Sequence, residues 1–145
     1  MIQLIIYLMT LSLKIKGANY MLVKCKKSFR HQLKEGNIYL VVEIIIKRKS
    51  NTIRYRLIDN EGYPAIYEAD MFEVQTNVLK DYAITINQES ILISPIQIAN
   101  SELNREDING FWGLFVEDNL EAKKILMESV ENLALSENII TPCLE

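Results

Sequence analysis

Histidine, cysteine and paired carboxylates carry much of the chemistry that small proteins do, and here they are few and poorly spaced. His31 is the only histidine, and Cys25 and Cys143 are the only cysteines. A zinc site needs three or four ligands. Cys25 and His31 supply two at most, with no carboxylate at ligand spacing. A nucleophilic cysteine needs a positioned base, and nothing in the spacing pairs either thiol with His31. Glu106-Asp107 and Glu117-Asp118 are adjacent in sequence, so on a helix their side chains diverge and both pairs read as solvated. No glycine-rich phosphate loop is present. The residues therefore indicate a protein that is not an enzyme, with no cofactor and no metal.

Charge is more informative. From Met1 to Arg56 there are 12 Lys and Arg against two acids, a net of +10. From Leu57 to Glu145 there are four against 17, a net of −13. A basic half can signal a polyanionic partner. The basic set is Lys24, Lys26, Lys27, Arg30, Lys34, Lys47, Arg48, Lys49, Arg54 and Arg56; of these Lys47, Arg48, Lys49, Arg54 and Arg56 form the candidate nucleic-acid patch, with Tyr39, Tyr55 and Tyr63 available for stacking. Against this stands the sequence pI of about 5.3, low for a dedicated nucleic-acid binder. The bland reading is that the two halves lie side by side and neutralise each other. In the acidic half, Asp59, Glu61, Glu68, Asp70 and Trp112 are the candidate contacts for a protein partner. An exposed tryptophan would mark an interface, whereas the Phe111–Phe115 cluster as a whole reads as core.

The elements that must position these residues begin with Ile38 to Lys47, an almost unbroken apolar run rich in β-branched residues. Such a run reads as a central strand. Strict alternation places Ile38, Leu40, Val42, Ile44 and Ile46 on one face, and Tyr39, Val41, Glu43 and Ile45 on the other. Ser50 and Asn51 turn the chain. Ile53, Tyr55 and Leu57 then alternate with Arg54 and Arg56, which predicts a half-solvated strand with both arginines in water. Asp59-Asn60-Glu61-Gly62 predicts a tight turn with Gly62 at positive φ. Tyr63 to Tyr67 resumes as an edge strand, because Pro64 removes a ladder donor. Glu68 to Met71 suits one helical turn, and Phe72 to Val74 a short strand. Leu22 to Lys27 is a first strand, followed by a loop in which Gly36 leads into the long strand.

In the set Gly36-x-x-Tyr39-x-Val41, Tyr55-x-Leu57-x-Asp59-x-x-Gly62, Tyr67 and Phe72-Glu73-Val74, the chain resembles uncharacterised small bacterial and phage proteins with an SH3-like barrel. The resemblance covers about residues 21 to 74. Gly110-Phe111-Trp112 with an acidic turn and Ala122 occurs in the same proteins. These are turn and core residues, so what they imply is fold and not activity. The polyproline groove of peptide-binding SH3 domains has no residue-by-residue match here.

Beyond the barrel, Gln75 to Asp81 reads as a linker. Tyr82 to Ile93 reads as a second hairpin turning at Asn87-Gln88-Glu89-Ser90. Ile96 and Ile98 continue an extended pattern into a polar loop from Asn100 to Asn109. Asp118-x-x-Glu121 looks like a capping-box start. The amphipathic helix after it uses Leu120, Ala122, Ile125, Leu126, Val130, Leu133 and Ala134 as its apolar face. Ser136 to Glu145 is a polar tail.

The apolar segment Met1 to Leu13 lacks the leading basic residues of a signal peptide and is too short to span a bilayer. It reads as an upstream extension or an extra strand, with Met21 as an alternative start; an anchor or signal and an integral helix are the other readings. Two cysteines far apart suit a reducing cytoplasm. The expected fold is α+β: an SH3-like antiparallel barrel over residues 21–76, then a hairpin and helical appendage over 77–145, packed as one unit. The expected function is non-enzymatic protein binding, as in an immunity protein that covers the active site of a toxin or nuclease domain. The alternative is a nucleic-acid-binding accessory or regulatory protein of phage or mobile-element origin.

Overall fold

The computed structural model describes residues 21–77 and 79–135. The expectations for residues 1–20, the tail from Ser136 and Cys143 lie outside the described residues. Seven antiparallel strands form one sheet: β1 Met21–Cys25, β2 Ile38–Lys47, β3 Thr52–Ile58, β4 Pro64–Glu68, β5 Phe72–Asn77, β6 Tyr82–Ile86 and β7 Ser90–Pro95. The hydrogen-bonded order is β4-β3-β2-β1-β5, and β7 branches from β2 with β6 beyond it. A 3-10 turn, Ala69–Met71, joins β4 to β5. Helices α1 Ile96–Ala99, α2 Leu103–Glu106, α3 Gly110–Val116 and α4 Leu120–Leu135 follow. The class is α+β. No described helix is long and apolar enough to cross a membrane.

Strand β2 is apolar throughout because it serves two layers. Its first residues pair with β1, from Ile38 to Leu40, and its last with β7, from Ile44 to Lys47. The Tyr82 hydroxyl donates to the Val41 carbonyl at 3.0 Å, where β2 changes partner. Opposite β3 the register runs Val41–Leu57 and then Glu43–Arg56. Val42 is thus an extra residue, a β-bulge.

The bulge corrects the strict alternation read from the sequence. Ile44 belongs with Tyr39 and Val41 in one core, alongside Val23, Leu33, Tyr55, Leu57 and Phe72, and Ile46 packs against it. Leu40 and Val42 face the second core, where Phe111, Phe115, Ala122, Leu126 and Val130 cover the sheet. Glu43, one residue past the bulge, comes to this helix-covered side, where it meets Trp112.

Other expectations change in the second half. Ile96 to Ile98 is not extended: α1 begins directly after Pro95. Proline suits the start of a helix because its missing N–H is not needed there. The supposed polar loop contains α2, whose Leu103 is buried. The Asn104 side chain bridges the elements around it. Its amide donates to the Ile98 and Ala99 carbonyls, and its oxygen accepts from Phe111 N. Leu120 does not join the apolar face of α4; it is 81% exposed.

Candidate functional site

Arg56 is the largest correction to the sequence reading. It does not lie in water. Its side chain is 14% exposed, and its Nε donates to Glu43 Oε1 at 3.4 Å. Its guanidinium lies 4.2 Å from the centre of the Trp112 ring, a cation–π contact. Trp112 Nε1 donates to the other Glu43 oxygen at 3.1 Å. Burial pushes the Glu43 carboxyl above the ordinary range, while Arg56 and the indole N–H pull it back. Burial pulls the Arg56 guanidinium down, opposed by Glu43. It stays charged, because arginine does not deprotonate in proteins. Both Glu43 oxygens have partners and the residue is 3% exposed. This triad holds α3 against the sheet and offers no free acid or base. A lone acid inside a ten-residue apolar strand was the signal for it, since such a group requires a buried partner.

The acidic candidates separate. Asp59 is also buried, which removes it as a partner contact. One of its oxygens accepts from Glu61 N and Tyr63 N, and the other from the Tyr67 hydroxyl at 2.8 Å. It is the brace of the β3–β4 turn. Glu68 is exposed and paired with Arg54 at 2.8 Å. Glu61 and Asp70 are exposed. Trp112 is part-buried in the triad, with Phe111 and Phe115 edge-on at 5.0 and 5.7 Å.

The basic candidates separate too. Lys47, Arg48 and Lys49 surround the β2–β3 turn, where Asn51 has φ 52. Arg48 donates to the Asn87 carbonyl. With Arg56 buried and Arg54 held by Glu68, the patch shrinks to that turn. His31 is exposed, and its carbonyl accepts from Asn60. Cys25 is buried with its thiol on the Lys27 carbonyl. Among the described residues no three His, Cys, Asp or Glu lie close enough to share a metal ion.

The sequence reading found the β6–β7 hairpin but not what it leaves open. Cross-strand pairs align Ile86, Ile91, Ile46 and Ile53 in one row, and Ile84, Ile93, Ile44 and Tyr55 in the next. The first row is bare at both ends and the second at its β6 end. Ile84 is 65% exposed, Ile86 66% and Ile53 44%. β6 pairs only with β7, so its outer edge is free among the described strands. On the opposite face, a cleft of about 350 Å³ is lined by Glu43, Ser94, Asn109 and Trp112, among others. Period-2 alternation in Tyr82, Ile84 and Ile86 was visible, but alternation marks a face without saying whether anything covers it.

Comparison of the chain with protein-family models, curated proteins and solved structures finds no match.

Proposed function

We propose that this is a non-catalytic protein-binding module built on an SH3-like barrel, with the isoleucine face of the β6–β7–β2–β3 sheet as its contact surface. One observation carries the reading. Ile84 and Ile86 stand exposed on the free edge strand β6, and Ile53 on β3 is exposed at the far end of the same sheet face. Contiguous exposed apolar surface is characteristic of interaction sites. The barrel assignment is supported by the order β4-β3-β2-β1-β5 with a single 3-10 turn before β5. A toxin inhibitor belongs to this class, because covering an active site requires a shaped surface and no chemistry. Its contact would centre on the isoleucine face rather than on the acidic set, which loses Asp59 to burial and Glu68 to Arg54.

The test is site-specific photo-cross-linking. A photoreactive side chain at position 86 of the full chain, expressed in its source cell, should give discrete adducts. The same probe at exposed Lys49 should give none. Absence of any adduct at 86, with a wild-type thermal melt, would overturn the reading.

A further inference from the structure

We propose that the isoleucine face is completed by a second copy of this chain, through antiparallel pairing of β6 with β6 about a two-fold axis near Ile84. The inference rests on the protein-binding reading above and names its partner.

The three strands that end the sheet differ in how they are protected. β4 begins at Pro64, which lacks an N–H, and ends at Glu68. β5 carries Glu73. Charges and prolines of this kind blunt strand edges against further pairing. β6, Tyr-Ala-Ile-Thr-Ile, has neither charge nor proline. It is the edge on which another strand can add most readily.

Self-pairing also satisfies the side chains. A two-fold axis at Ile84 sets Ile84 against Ile84 of the second copy, Tyr82 against Ile86, and Ala83 against Thr85. The next positions outward set Asp81 against Asn87 and Lys80 against Gln88. No like charges stand directly opposite each other. The row Ile44–Ile93–Ile84 would run on through Ile84, Ile93 and Ile44 of the second copy. The exposed end of each face would thereby lie beside the other in one continuous apolar row. Such an interface is isologous, as a closed dimer requires.

Sedimentation of the full chain over roughly 1–200 μM tests this, a span that brackets micromolar association. The expected result is a concentration-dependent rise from the mass of one chain to that of two. Ile84→Lys sets like charges against each other at the axis and should shift the midpoint upward by at least about tenfold. Ile86→Lys should act in the same direction. Ile108→Lys, at a residue 98% exposed outside the hairpin, should leave the midpoint unchanged. Thermal melts of all variants, taken well below the dimerisation midpoint, should match wild type. A single-chain mass at every concentration, or dimerisation indifferent to both hairpin substitutions, would overturn self-pairing. An adduct at position 86 with a different protein would overturn self-pairing and leave the protein-binding reading standing. No adduct would remove both.

Discussion

Asp59 and Glu43 are the two buried acids among the described residues, and they do different structural work. Asp59 accepts three hydrogen bonds that close the turn ahead of β4. Removing the Tyr67 hydroxyl leaves one of its oxygens unpaired in a buried site. Tyr67→Phe should therefore destabilise by about 1–3 kcal/mol, read from denaturant unfolding. Three residues after Asp59, Gly62 has φ 76. A β-branched side chain there is strained by the left-handed backbone that the turn imposes, so Gly62→Val should cost about 1 kcal/mol or more. An unchanged melt would mean that the turn carries no such requirement.

Glu43 gives a pH test. Burial raises its folded value above the ordinary 4.5, so in the window just above 4.5 the folded chain binds more protons than the unfolded one. Stability contributed by this residue then falls as pH rises through that window. Glu43→Gln abolishes the titration and can still accept from the indole. Its melting temperature relative to wild type should therefore increase from pH 4 to pH 7. The opposite trend would show that Arg56 outweighs burial.

Among the elements, the junction between α3 and α4 shows how one residue can shift an assignment. The sequence suggests Asp118 as the cap of the last helix. In the fold it has φ 62, and the N–H groups of Asp118 and Asn119 bond back to the Phe115 and Leu114 carbonyls. That is a Schellman termination of α3. With Asp118 spent on ending one helix, Asn119 caps the next: its side-chain oxygen accepts from Ala122 N at 3.0 Å. Asn119→Ala should destabilise by about 1 kcal/mol, whereas Asp118→Ala loses only an exposed ion pair with Lys123 and a residue tolerant of positive φ. A thermal melt of Asn119→Ala equal to wild type would show that the cap is idle. Local sequence did announce that a boundary lay here. It did not say which polar residue served which helix, because both geometries favour Asp and Asn.

For the whole molecule, the division of charge into basic and acidic halves has consequences for partners. One described ion pair, Arg54–Glu68, crosses between the halves. Arg56 is neutralised within the basic half by Glu43. What remains of the candidate patch is the short turn Lys47-Arg48-Lys49, while Lys24, Lys26, Lys27, Arg30 and Lys34 lie exposed elsewhere in the basic half. Binding to short DNA or RNA through that turn should accordingly be weak at about 50 mM salt and absent at about 200 mM, since three side chains offer few phosphate contacts. Micromolar binding with a steep salt slope, lost when those three residues are changed to Glu, would favour the nucleic-acid reading.

Local chemistry determined much of this protein. Gly62, Pro64 and Asn87 act on their own backbones, so the turns and the hairpin were legible. Long runs of β-branched residues marked the strands, and apolar spacing marked α4. The α+β class followed from those elements. Three things required the tertiary structure. The bulge at Val42 moved Ile44, Ile46 and Glu43 to the opposite faces, because strand parity depends on the register of the neighbouring strand. Arg56 left the water because Glu43 and Trp112, 13 residues before it and 56 after it, met it on one face. The isoleucine rows became a surface because nothing in the described chain packs over the ends at Ile84 and Ile86. A sequence records which residues are apolar; only packing decides which of them stay in contact with water.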